Sequence, residues 1–166
     1  MLLRRAILSL TSFTEEVFDA PLIALVVGTA LARLAGLAGI SALDGWHPAL
    51  RVGLAVMFAL TAVAHFVGQR RADLIAMVPP RLPRPDLLVT LTGVLELVGA
   101  VGLLIPATAR VAAAGLALLM LAMFPANVSA ARRRLTLAGR PVTPLAQRTV
   151  LQIVFVTTAA AISFGP

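Results

Sequence analysis

Five polar side chains stand where an apolar chain has least room for them. Glu96 is the one charge in the run 87–106, "LLVTLTGVLELVGAVGLLIP". His65 lies near the end of the preceding apolar stretch. Asn127 follows Pro125 in "FPANVSAA", Gln152 sits in the last apolar stretch, and Arg148 stands at its mouth. A carboxylate and an imidazole held together out of water can pass a proton or act as acid and base on a lipophilic molecule. Amides can orient such a molecule, and an arginine can bind an anion or neutralise the carboxylate. A charge at the centre of a bilayer costs at least about 2.5–3.5 kcal/mol, so an ionisable group there faces partners rather than lipid. The spacing around Glu96 and His65 agrees with this. Thr92, Gly93, Gly99 and Ala100 lie one turn to either side of Glu96, and Thr61, Ala62, Gly68 and Gln69 flank His65. Small residues on one face admit a second helix.

The elements that carry these residues follow from composition. Hydrophobic residues make up 60% of the 166, and charged ones 13%, against about 25% in a soluble domain. Mean hydropathy is +0.98. A 17.3 kDa core cannot hide that much apolar surface, so much of it faces lipid. About 20 apolar residues in a helix cross roughly 30 Å of hydrocarbon. The sequence predicts five such helices, at 21–40, 50–69, 87–106, 109–128 and 149–164, in an all-α integral membrane bundle. Arg33 lies inside the first and is expected to snorkel or pair. Gly28, Ala32 and Gly36 form a small-residue stripe on it, suited to a close contact within the chain or with a second copy. Residues 20–166 read as one transmembrane domain. In residues 1–19, Leu3, Ile7, Leu10, Phe13 and Val17 fall at helical spacing between Arg4, Arg5, Glu15 and Glu16. That segment reads as an amphipathic helix on the membrane surface; the absence of an A-x-A-like site disfavours a cleaved leader.

Charge orients the spans. With five of them, Arg4, Arg5, Arg70, Arg71, Arg81, Arg84, Arg132, Arg133, Arg134, Arg140 and Arg148 fall on one side, and Arg51 and Arg110 on the other. The positive-inside rule makes the first side cytoplasmic, with the N-terminus inside and the C-terminus outside. A net charge of +7 without aromatic residues among the basic ones argues for membrane anchoring rather than nucleic acid. Trp46 reads as an anchor at the outer interface and His47 as an exposed neighbour. The connection 70–86 holds Pro79, Pro80, Pro83 and Pro85 within seven residues. It is expected to be a loop that lies in the interface or dips into the bundle and caps its cytoplasmic end, with a plain solvated linker as the alternative.

Depth decides whether the polar residues meet. By helical rise, Glu96 lies about 14 Å and His65 about 6 Å from the cytoplasmic face. Side chains lean toward the N-terminus of their own helix, and these two helices run in opposite directions, so the tips converge. Asn127 and Gln152 fall within about a turn of that face. The expectation is one inner-leaflet pocket, with Glu96 and His65 as proton-handling groups and Asn127, Gln152, Arg148, Thr61, Thr92, Pro79 and Pro80 around a ligand. Helix glue by polar residues is the competing explanation. Without cysteine, thiolate metal sites and iron–sulfur clusters are excluded. Two distant histidines make no metal cage or bis-histidine haem.

The patterns "RVGLAVMFALTAVAHF", "MVPPRLPRPDLLVTLTGVLELVGAVGLLIP", "FPANVSAA" and "RTVLQ", in that order, resemble the DoxX-like family of small integral membrane proteins. The resemblance covers about residues 50–160, with His65, Pro79, Pro80, Glu96, Pro125, Asn127, Arg148 and Gln152 at the matching motif positions. It implies a four-helix membrane core, to which 21–40 adds one N-terminal transmembrane helix. It departs in that added segment and in lacking tryptophans in the last span. The family takes its name from a membrane subunit linked to quinone-dependent sulfur oxidation. The resemblance therefore implies a quinone or another hydrophobic small molecule as ligand, or a place beside another membrane or peripheral oxidoreductase subunit, in a bacterial inner membrane. Two other readings remain: a cofactor-free isomerase or cyclase acting on a lipophilic substrate, and a structural or chaperone-like subunit. Transport is weaker, for want of inverted repeats or paired broken helices.

Overall fold

The computed structural model describes residues 20–137 and 140–165. Along the chain come α1 (Ala20–Leu37), a 3₁₀ turn (Ser41–Leu43), α2 (Trp46–Ala64), α3 (Gly68–Met77), α4 (Pro85–Leu104) and α5 (Ala109–Arg132). A two-residue antiparallel pair, β1 (Thr136–Leu137) with β2 (Arg140–Pro141), precedes α6 (Leu145–Phe164). All of these helices except α3 are long and apolar enough to cross a membrane; the chain is an all-helical, multi-pass membrane protein. The amphipathic helix expected at 1–19 lies outside the described residues.

Glycine and proline place the helix boundaries. Gly45 at φ 115° turns the chain into α2, a left-handed conformation that costs glycine little. Pro85 opens α4 at a position whose N–H has no helical partner, and Asp86 sits in the first turn, where the helix dipole favours an acid. The stretch 70–86 departs from expectation. Its first half is α3, and only the proline-rich second half is irregular, with Leu82 N–H bonded to the Pro79 carbonyl at 2.9 Å. The prolines stop a helix but do not act on residues several positions upstream, where Arg70 to Met77 are free to coil. Met77 is buried at the end of α3.

Helices α2, α4, α5 and α6 close a ring, each touching the next and α6 returning to α2. Leu54 and Met57 of α2, Leu103 of α4, Leu116 of α5 and Ile162 of α6 fill its centre. Helix α1 lies outside this ring, packed chiefly on α2. The Gly28–Ala32–Gly36 stripe is buried, with Gly28 against Gly53 and Val56 of α2 and Gly36 against Leu43 of the 3₁₀ turn. A Cβ on Gly53 would stand 2.0 Å from Thr29 Oγ1 and 2.6 Å from the Leu25 carbonyl. The stripe therefore serves an internal contact. Outward, Leu31, Leu34, Val98, Val101, Val111, Leu118 and Ile153 are exposed, an apolar girdle suited to acyl chains. Because lipid solvates such side chains as well as a core does, association rests on close approach of small residues rather than on burial of large ones.

Arginines tie the helix ends. The last carbonyls of a helix have no intrahelical donor and carry its negative dipole end. Arg51 Nε donates to the Leu103 carbonyl of α4 at 2.8 Å, and Arg110 Nη2 to Gly165 just beyond α6 at 2.9 Å. Arg71 Nη1 donates to His65, just beyond α2, at 2.6 Å, and Arg133 Nη2 to Ala76 of α3. Arg71 and Arg133 thus aim inward at backbone as well as marking the arginine-rich end. Arg33, within the first span, pairs with Asp44 at 3.0 Å and lies 5.8 Å from the Trp46 ring centre. Trp46 is two-thirds exposed, at 67%. His47 is not the exposed residue expected: it is half-buried against Gly165, and its Nε2 is enclosed without a hydrogen-bond partner among the described residues.

Candidate functional site

Glu96 points into the bundle. It is 3% exposed, and its Oε2 accepts a hydrogen bond from Thr61 Oγ1 at 2.9 Å. The same oxygen lies 3.8 Å from His65 Nδ1, within reach of an ion pair. The imidazole is held from two sides. His65 Nδ1 is 3.2 Å from the Thr61 carbonyl; a carbonyl only accepts, so this bond requires the proton on Nδ1. On the other side, a Cβ on Gly93 would stand 2.5 Å from His65 Cβ, so the glycine of α4 is what lets α2 come this close. His65 caps the end of α2, and its own carbonyl receives Arg71, which also donates to Thr90 Oγ1 at 3.0 Å on α4. One arginine therefore clamps the two helices at the level of the cluster. With Nδ1 occupied, Nε2 is the imidazole atom without a partner among the described residues.

The other polar residues form a second set. Arg148 Nη1 donates to Asn127 Oδ1 at 2.7 Å and its Nε to the Thr143 carbonyl at 3.2 Å. Gln152 Nε2 donates to the Met120 carbonyl at 3.0 Å. That bond lies next to Leu121, whose carbonyl loses its helical donor because Pro125 has no N–H. Asn127, Arg148 and Gln152 are all half-buried. No hydrogen bond or ion pair among the described residues joins Glu96 or His65 to any of them. The polar residues thus form two hydrogen-bonded sets, one on α2 and α4, the other on α5 and α6. The small face around Glu96 is divided likewise: Gly93 receives His65, whereas a Cβ on Gly99 would stand 2.5 Å from Leu116 of α5.

Three expected lining residues have other employment. Thr92 Oγ1 donates to its own helix, to the Leu88 and Val89 carbonyls, each at 3.0 Å. Pro79 and Pro80 lie in the turn after α3, beside the Val78 carbonyl that Arg133 also reaches at 3.4 Å. Two cavities are lined by residues other than Glu96 and His65. One of about 220 Å³ opens in the α5–α6 seam, lined by Leu121, Phe124, Thr149, Gln152, Ile153, Val156 and Thr157. Another, of about 460 Å³, lies where α5 ends and α6 begins. Small-molecule pockets span about 300–1,000 Å³, so the first is small for a whole ligand and the second is not. Arg71 escaped the sequence reading as a positioning residue. Its one signal is its place six residues after His65, just beyond the end of α2. Among the described residues, no group of three or more His, Asp or Glu side chains is placed to hold a metal.

No curated protein and no solved structure matches the chain. Residues 54–163 match a family described as a domain of unknown function, DUF8561. The matched region starts inside α2 and runs to the end of α6, so it holds the closed ring and both polar sets and leaves α1 out. Since the match takes in well over half of its length, the chain belongs to the DUF8561 family.

Proposed function

We propose that this protein is a DoxX-like, multi-pass protein of a bacterial inner membrane. In this reading the Glu96–Thr61–His65 cluster holds and moves a proton for a lipophilic ligand such as a quinone, beside an oxidoreductase partner. The observation that carries the reading is the carboxylate of Glu96, buried in the bundle with Thr61 at 2.9 Å and an imidazole at 3.8 Å. A carboxylate paired with an imidazole whose second nitrogen is unengaged has the parts for acid–base work. In this reading His65 Nε2 would be the atom that meets a quinone oxygen. A quinone, when bound, supplies the redox chemistry, and the chain's own part is to orient it and to carry protons between the carboxylate and Nε2. The arginine-rich end is cytoplasmic in this reading, with the N-terminus inside and the C-terminus outside.

The test is binding of a short-chain ubiquinone by the purified protein in detergent. Glu96→Gln and His65→Ala are each expected to weaken binding about fivefold or more, as loss of a buried hydrogen-bonding partner at about 1–3 kcal/mol implies. Unchanged affinity in both variants overturns the assignment. A second reading, a structural subunit, is favoured by one observation: the cluster is filled, with the backbone of α4 against the imidazole at Gly93. It predicts that Glu96→Gln folds and retains function in the cell, while a stable partner co-purifies.

A further inference from the structure

Where α5 gives way to α6, a cavity of about 460 Å³ is walled by Ala131, Leu135, Val142 and Leu145, with Arg134 and Thr143 as its polar members. Arg134 is exposed and has no hydrogen bond or ion pair through its side chain among the described residues. The turn that presents it is well defined: Arg134 adopts φ 51°, its N–H bonds to the Ala131 carbonyl at 3.2 Å, and the next N–H, of Leu135, bonds to Ala130 at 3.1 Å. A left-handed arginine costs energy that a glycine there would not; Arg84 adopts the same conformation at φ 50°. No carboxylate lines the cavity. Around the same end of the bundle Arg70, Arg81, Arg84 and Arg132 are also exposed, with Asp86 as an exposed acid.

We propose that this cavity is a binding site for one anionic phospholipid. Its phosphate would meet Arg134, and its glycerol and upper acyl carbons would lie on the apolar wall. Three features select that occupant. The volume suits a headgroup with part of its chains and exceeds what a bare anion needs. The wall is apolar, which a soluble anion does not use. And the site opens at the arginine-rich end of transmembrane helices, where basic pockets recruit acidic lipid headgroups. The proposal is independent of the Glu96 cluster, which shares none of these residues.

Native mass spectrometry of the full chain in detergent, with dioleoylphosphatidylglycerol or dioleoylphosphatidylcholine added, tests it. Retained phosphatidylglycerol is expected to exceed phosphatidylcholine. Arg134→Gln should cut phosphatidylglycerol retention about fivefold, while Arg132→Gln, which does not line the cavity, should leave it near wild type. Ala131→Phe fills the space without altering charge and should likewise lower retention, a second readout if Arg134→Gln fails to fold. Equal retention of the two lipids, equal losses for the two arginine variants, an unaffected Ala131→Phe, or displacement by inorganic phosphate would each overturn it. Glu96→Gln should not alter lipid retention, which separates failure here from failure of the quinone reading.

Discussion

The two polar sets solve the same problem in different ways. On α2 and α4, Glu96, Thr61 and His65 are sealed by close backbone contact at Gly93, and Glu96 and His65 are among the few buried polar residues. On α5 and α6, Asn127, Arg148 and Gln152 stay half-buried, and two of them bond backbone carbonyls as well as or instead of each other. A glycine at the crossing point lets α2 and α4 close over the first set. Larger residues at the second seam, Leu121 and Phe124 against Ile153 and Val156, hold the helices apart and leave a cavity. Polar residues of one bundle therefore differ in environment because of the residue opposite them.

Breaking the first seal should have the largest effect. Gly93→Leu must displace the imidazole, because even its Cβ would stand 2.5 Å from His65 Cβ. Overpacking of this kind costs about 1–3 kcal/mol and sometimes more. Its expected signature is a clear fall in thermal midpoint, followed by fluorescence-detected size exclusion; an unchanged midpoint would mean α2 and α4 are not in contact there. A sharper measurement is a pair of double-mutant cycles. Thr61→Val with Glu96→Gln should show a coupling of about 0.5–3 kcal/mol, and Glu96→Gln with Arg148→Met should be additive to within about 0.3–0.5 kcal/mol. Strong coupling in the second cycle would reunite the two sets. The smallest effect is expected at Gly115, where a Cβ meets nothing within 4 Å. Gly115→Ala should leave stability level or raise it by up to about 1 kcal/mol through helix propensity, in contrast to any substitution at Gly93.

Much of the scaffold was legible in the residues themselves. Long apolar runs must form helices in lipid because every backbone polar group has to be satisfied within its own segment. All five expected spans are present, with ends shifted by a few residues. The inward turn of Glu96 was legible too, since the cost of an unpaired charge in hydrocarbon leaves little choice. The reading of 70–86 as a loop failed over its first half because four prolines outweighed the helical spacing of the residues before them. The arginine caps were invisible for a different reason. Arg51 and Leu103, or Arg110 and Gly165, are more than 50 positions apart, and no local pattern announces which carbonyl a flexible guanidinium will reach.

From the sequence by itself came the apolar character of the chain, the five helices long enough to cross a membrane and the inward facing of Glu96. These are properties of a helix and a bilayer, and they need no neighbour. Which polar tips share a contact was decided only by tertiary structure. Helical period specifies a direction about one axis, whereas a meeting between two side chains also needs the distance and rotation between axes. Those are set by side chains at the crossings: Gly53 against Thr29, Gly93 against His65, and Gly99 against Leu116.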